Sequence, residues 1–376
     1  MLDALLDLGP DPHRDGELLA AIAAHTAAAE ASRRGSDGGL IGRAEAAVRA
    51  DPQAFEVDPD GHATLAVDGH RWAAGRFAPV AVGELRRRAG RRQAAAGADR
   101  GRLRLWVLDG ASVAGDIGTL QATGGEGALF QVASQFNCLE SPGPCVVPVR
   151  DYVHDYTQGP RASVGAFPAT LWRHHRAPAP HGGTFEQVTD GPQLDLLDGV
   201  GDPSVGRPFN GYLTAEHVPD AGAFLEALRA SADAIKVGLH EGAEVALGAD
   251  WFGEVTGRPR ITQVFTSTVA GGGYGGERFG EHFAPICAEL LRAAYTGTLL
   301  AAVATGQRKA VLTLIGGGVF GNPMPLIWRA IEDALADVAP LLAGDLDVVV
   351  NGRDLSRRLP VETMVASARR WEGALV

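Results

Sequence analysis

The sequence lacks most of the features that assign a chain at sight. Its 376 residues include only three cysteines, Cys138, Cys145 and Cys287. None sits in a CxxC pair, which argues against a disulfide framework or a zinc knuckle and suits a reducing cytosol. Lysine occurs only at Lys236 and Lys309, and the formal net charge is −11. A general nucleic-acid binder would normally carry a basic face, so that class is not expected. Met1-Leu2-Asp3-Ala4 has neither the basic start nor the apolar run of a signal peptide. An uncharged apolar run of about eighteen residues is also missing, so no membrane span is expected. No repeat of fixed period occurs. What is present is an ordinary globular composition, 45% hydrophobic and 21% charged, which can bury the core of one large domain or two ordinary ones.

Residues 1–100 read differently from the rest. Residues 17–33 and 42–50 are alanine-rich and helical in pattern, and Arg33 to Gly39 breaks them. Residues 54–80 suit a small hairpin turning at Pro59-Asp60-Gly61-His62. The basic run Arg86 to Arg92 reads as a solvated helix face, with phosphate binding as the sharper alternative. From residue 102 onward, strands and helices alternate. Strands are expected over 103–108, 128–133, 261–267, 309–315 and 346–350. Helices are expected over 221–234 behind Asp220 as N-cap, 283–304 and 327–338. Such alternation predicts an α/β sandwich with a mainly parallel or mixed sheet, and ligands of such sheets sit at the carboxyl ends of the strands.

The most informative stretch is Val311-Leu312-Thr313-Leu314-Ile315-Gly316-Gly317-Gly318-Val319-Phe320-Gly321-Asn322-Pro323. It spells a buried strand, a tight glycine loop and a helix start. Consecutive glycines let backbone N–H groups converge on one point, and a helix N-terminus adds partial positive charge, so the construction suits a phosphate. A plain strand-to-helix turn is the blander alternative. No Gly-Lys-Ser/Thr follows, which argues against a P-loop NTPase.

Three other constellations carry chemistry. Gly115-Asp116-Ile117-Gly118 places a carboxylate in a glycine-flanked turn, suited to an adenine amino group or simply to capping a helix. In Ala128 to Glu140 a buried strand runs into Gln131, Gln135 and Asn137, amides that suit ribose hydroxyls or, more commonly, loop backbone. In Asp151-Tyr152-Val153-His154-Asp155-Tyr156-Thr157-Gln158-Gly159-Pro160, two carboxylates four apart could deprotonate water or steady charge at an anomeric carbon, or could form Asx turns. The cluster Trp172-Arg173-His174-His175-Arg176 is weak support for RNA binding, and His174, His175 and His181 lack a recognised zinc spacing. The glycine run 271–276 reads as a flexible connector, with a mobile lid as the alternative.

Taken in order, these pieces resemble a macrodomain, the ADP-ribose-binding α/β/α fold. Gly115-Asp116-Ile117 stands where that family has its Gly-Asp-Ile. Gln131 and Gln135 stand where its asparagines would be, and Gly318-Val319-Phe320-Gly321-Asn322-Pro323 matches its late diphosphate loop. The boxes Gln131 to Glu140 and Asp155 to Pro160 resemble a divergent branch of macrodomain ADP-ribosyl hydrolases, some of them bacterial effectors, distantly related to poly(ADP-ribose) glycohydrolase. The likeness covers residues 103–350. It implies a three-layer α/β/α domain with a mixed central sheet over 101–376, preceded by a mainly helical extension over 1–100.

The resemblance further implies that Asp116 and Ile117 hold the adenine, and that Gly316, Gly317, Gly318, Val319, Phe320, Gly321 and Asn322 wrap the diphosphate and proximal ribose. Gln131, Asn137, Gln158 and Gly159 complete the ligand site. Asp155 becomes the expected acid/base or water-positioning group, with Asp151 and Glu140 in reserve. The expected activity is hydrolysis of the bond between ADP-ribose and a protein side chain or related acceptor, with no metal and no cofactor. The alternatives are a non-catalytic ADP-ribose reader and a hydrolase of a free ADP-ribose derivative. Expected partners are ADP-ribose or an ADP-ribosylated protein, with neither nucleic acid nor membrane. The expected compartment is the cytoplasm, with secretion as an effector left open.

Overall fold

The computed structural model describes residues 39–97, 101–109, 117–124, 127–141, 143–154, 157–247, 255, 257–352 and 355–376. In chain order the elements are α1 (Gly39–Ala50), β1 (Phe55–Val57), β2 (Ala63–Val67), β3 (His70–Ala81), α2 (Val82–Ala96), β4 (Leu103–Leu108), α3 (Ile117–Gly124) and β5 (Leu129–Ala133). Then come α4 (Gln158–Gly165), α5 (Phe167–His175), the short pair β6 (Ala177–Pro178) and β7 (Thr184–Phe185), α6 (Ala221–Ala230) and β8 (Lys236–Glu244). The chain continues with β9 (Arg260–Thr266), α7 (Phe283–Thr305), β10 (Lys309–Thr313), α8 (Met324–Val338), β11 (Leu346–Asn351) and α9 (Val361–Arg370).

Among the described residues, nine strands form one sheet in the order β1-β2-β3-β8-β9-β5-β10-β11-β4. The last five are mutually parallel, with Phe130 opposite both Val311 and Gln263, and Val350 opposite Val107. Their near-continuous burial explains why they read as apolar runs rather than alternations: a parallel sheet is covered on both faces. The other four strands run antiparallel as a wing. Two side chains mark the two covering layers. On β5, Gln131 reaches Thr298 of α7, and on β9, Gln263 reaches the carbonyl of Ala162 in α4. The order helix layer, mixed sheet, helix layer is the expected α/β/α sandwich.

The expected N-terminal division changes. The hairpin expected over 54–80 is present as β1, β2 and β3, but it is not an appendage of a helical extension: β3 pairs with β8 from Arg76–Glu241 to Ala81–Lys236. The boundary drawn at residue 100 therefore cuts through a single sheet, whereas residues 17–33 lie outside the described residues. The antiparallel wing has its own core, with Trp72 edge-on to Phe167 at 5.3 Å and Phe55 edge-on to Trp172 at 5.1 Å. In addition, Gly276–Thr305, which contains α7, is long and apolar enough to cross a membrane, although charged residues such as Glu289 and Arg292 interrupt it. Of its most apolar window 83% is buried, and Gly297 lies directly against Val237 and Val82.

Candidate functional site

The carboxyl ends of β5, β10 and β11 and the turn after β9 open on one cavity of about 550 Å³, within the range of small-molecule sites. The glycine loop forms one wall. Gly316 has φ 69°, and a Cβ there would stand 2.5 Å from Thr268 Cγ2, so the backbone can turn only without a side chain. Three backbone bonds then fold the loop on itself: Gly317 N to Leu314 O at 3.0 Å, Gly321 N to Gly318 O at 3.0 Å and Asn322 N to Gly316 O at 3.0 Å. Among the described residues, the amides of Gly318, Val319 and Phe320 meet no acceptor in the chain. They are adjacent donors beside the start of α8, an arrangement that favours an anion.

A second glycine-rich segment braces this wall. The amides of Gly271 and Gly272 both donate to Phe320 O at 2.9 Å. Residues 271–276 are thus docked on the diphosphate-type loop and are not a free connector. They carry Tyr274 into an aromatic group with Tyr212 at 5.4 Å and Phe320 at 5.8 Å, and Tyr212 and Phe320 are 5.5 Å apart. These rings give the cavity a surface on which a sugar or base can lie.

The opposite wall follows β5. Gln135 and Ser141 exchange two bonds, Gln135 Nε2 to Ser141 O at 2.9 Å and Ser141 N to Gln135 Oε1 at 3.2 Å. Asn137 Oδ1 accepts from Leu139 N at 3.0 Å, and Cys138 takes φ 61° to close the turn. The loop so pinned presents Glu140, only 4% exposed, to the cavity. Gly159 at the start of α4 makes this approach feasible: a Cβ there would lie 2.3 Å from Glu140 Oε2 and 2.2 Å from Ala133 O. Behind the loop, Arg173 is buried and donates to Cys138 O at 3.2 Å, Thr170 Oγ1 at 3.1 Å and His240 Nδ1 at 3.1 Å, with its guanidinium 3.6 Å from the centre of the Phe265 ring. Burial pulls Arg173 down to about 10, so it stays charged at neutral pH. Burial, reinforced by Arg173, holds His240 well below the usual histidine range, and the neutral ring donates Nε2–H to Ala74 O.

Of the residues singled out in the sequence, Gln135, Glu140, Gln158, Gly159, Gly316, Gly317, Gly318, Val319 and Phe320 line the cavity. Several others do not. Gln131 is fully buried between β5 and α7, where its Oε1 accepts from Thr313 N and its Nε2 donates to Thr298. Asn137 is 1% exposed and donates to Gln193. Asn322 is 2% exposed and acts as a staple: its Nδ2 donates to Val269 O at 2.9 Å and its Oδ1 accepts from Thr268 at 3.0 Å. Gly321 backs the loop without facing the cavity. Ile117 is buried, and its amide donates to Gln158 Oε1 at 2.9 Å, so that amide is already engaged. Asp151 lies off the cavity, 3.7 Å from Arg150. Asp116 and Asp155 lie outside the described residues.

The sequence reading missed Arg358, Tyr212 and Asn351, which also line the cavity. Arg358 Nη2 donates to Gly317 O at 2.5 Å and brings a cation to the glycine loop from the segment after β11. Its only sequence signal was its position shortly after a parallel strand, on the ligand-facing side of such sheets.

No family model matches the chain. No curated protein matches it in sequence. Among solved structures, poly(ADP-ribose) glycohydrolase from Thermomonospora curvata is similar at 16% identity, covering 88% of this chain and 98% of that one, with a TM-score of 0.39. Poly(ADP-ribose) glycohydrolase from Deinococcus radiodurans in complex with ADP-ribose is similar at 14% identity, covering 78% of this chain and 93% of that one, with a TM-score of 0.40. These likenesses concern the arrangement of strands and helices and assign no residue a role.

Proposed function

We propose that this chain is an ADP-ribosyl hydrolase whose ligand lies in the cavity between the glycine loop and Glu140. The carrying observation is that a buried carboxyl and a row of open backbone donors line one pocket. The diphosphate would sit on the amides of Gly318, Val319 and Phe320, with Arg358 adding positive charge. The proximal ribose would rest among Phe320, Tyr212 and Tyr274. That would leave the anomeric carbon on the side of Glu140. Hydrolysis there breaks the bond to the acceptor while water adds to the same carbon. Glu140 is the described carboxyl placed to hold that water and take its proton. The order of motifs along the chain supports ADP-ribose over other phosphorylated ligands.

A non-catalytic reader is the weaker reading. A binder gains nothing by keeping a carboxyl that is only 4% exposed in a pocket that also takes a diphosphate.

Calorimetric titration with ADP-ribose, ADP and NAD tests the ligand, and a panel of ADP-ribosylated peptides tests turnover and the linked residue. In Glu140→Gln the expected result is an ADP-ribose Kd within about threefold of the parent and turnover lower by about 10²–10⁴-fold. Absence of ADP-ribose binding by the parent chain overturns both readings. Binding with no turnover on any linkage leaves the reader. Full turnover in Glu140→Gln would move the chemistry to another group, with Asp155 the first to substitute.

A further inference from the structure

We propose that Glu45 of α1 and His174 and His175 of α5 form a site for a divalent transition-metal ion, zinc by the chemistry of the donors, that clasps the two helices together. This site lies apart from the cavity and does not depend on the proposed activity. The three residues are 1%, 2% and 1% exposed, and each offers a ligand atom within 4.8 Å of the other two. The third donor comes from 130 positions away from His175, so no local spacing could announce it.

Four observations converge on a metal. First, His175 Nε2 and Glu45 Oε1 are 3.2 Å apart, close to the edge of about 3.3 Å that tetrahedral zinc imposes with bonds of about 2.0–2.1 Å. Two such atoms require a positive centre between them, either a proton or a metal ion. Second, the other ring nitrogen, His175 Nδ1, meets Glu186 Oε1 at 3.1 Å. A histidine ligand is typically oriented in this way, one nitrogen giving its proton to a carboxylate and the other keeping its lone pair for the metal. Third, the buried Nδ1 of His174 has no hydrogen-bond partner among the described residues, which leaves a donor atom beside the pair once the ring turns out of its stack on His175. Fourth, Glu45 is itself held in place, its Oε1 accepting from Val149 N at 2.9 Å and its Oε2 from Arg150 N at 3.3 Å. Two imidazoles and a carboxylate suit a borderline ion such as zinc rather than magnesium or calcium. Arg49 pairs with Glu186 at 3.5 Å on the outer side, where both side chains are about half exposed. The clasp also ties α1 to residues 149–154, which lead into the cavity rim at Thr157 to Gly159.

The test uses the full chain without an affinity tag. Metal analysis of the purified protein is expected to find close to one zinc per chain. Chelation should lower Tm, zinc should restore it, and cobalt should give the visible spectrum of a tetrahedral site. His174→Gln, which keeps the ring's approximate volume, and His175→Ala should each weaken zinc binding by more than the roughly 10–100-fold typical of losing an outer-shell partner, with the far-UV circular dichroism of His174→Gln unchanged. Either of two results overturns the proposal: a parent chain that takes up no zinc or cobalt and shows no change in Tm, so that a proton alone bridges the pair, or His174→Gln that binds zinc as tightly as the parent.

Discussion

Glu140 and Gly159 show how two residues of ordinary type become a functional pair through contact alone. The loop 135–141 satisfies its own amides so fully that Gln135 and Asn137 are spent on structure. Its product is the placement of one carboxyl. That placement depends on the missing side chain at Gly159, where a Cβ would stand 2.3 Å from Glu140 Oε2. Gly159→Ala is therefore expected to displace Glu140 and cut turnover by about 10²-fold or more, since small misplacements of reacting groups are costly. Steady-state kinetics beside ADP-ribose titration decides it, and an alanine variant with parental kcat would refute the pairing. The misplacement of Gln131 has the same root. A buried amide satisfying backbone and an amide contacting a ribose have the same composition, and only the neighbouring atoms distinguish them.

At the scale of elements, the strand–loop–helix unit from β10 to α8 was legible because each of its parts has a local cause. Val311, Leu312 and Thr313 suit a buried strand, Gly316 suits a left-handed turn, and Pro323 suits the entry to a helix. The bracing of that unit was not legible, because it comes from Thr268, Val269 and residues 271–272 of another connection. Asn322→Ala removes the staple, including its bond to cavity-lining Thr268, without replacing a residue that lines the cavity. The expected outcome is ADP-ribose affinity about tenfold weaker, the equivalent of one or two lost hydrogen bonds, measured by calorimetry. Unchanged affinity would show that the loop holds its shape without the staple. Strand β8 and helices α4 and α5 escaped the sequence reading for a related reason. Gly238 and Gly242 interrupt the strand pattern, and Pro160, Gly165 and Pro168 interrupt the helical one. Packing against β3, β9 and each other overrides those local signals.

Across the whole molecule, the nine-stranded sheet joins segments far apart in sequence, and residues 193–197 help tie them. Leu196 N donates to Phe136 O at 3.0 Å, and Leu196 O accepts from Lys236 N at 2.9 Å, so this stretch links the Glu140 loop to β8. Asp195 sits within it. Burial pushes its carboxyl from 3.8 up to about 6, against the opposing pull of the Leu197 amide and Arg207. The fold thus favours the protonated form. Its contribution to stability is complete below about pH 4 and is lost as pH rises through about 6. Asparagine can keep the bond to the Leu197 amide without the charge. Asp195→Asn is expected to raise stability by about 1–2 kcal/mol near pH 8 and to change it little near pH 4, as read by urea unfolding at the two pH values. An equal effect at both would show that charge burial is not the cause.

What the sequence determined by itself was local: five strands of an α/β sheet, the glycine loop between β10 and α8, the cap at Asp220 and the position of the ligand end of the sheet. Each follows from hydrophobic period, turn chemistry or capping, which act over a few residues. Tertiary structure alone decided which polar residues face the cavity, that residues 55–81 extend the sheet, that Arg358 reaches Gly317, and that Glu45 meets His174 and His175. These depend on long-range packing, where a side chain's partner is set by the burial of many others and leaves no mark in the spacing of its neighbours.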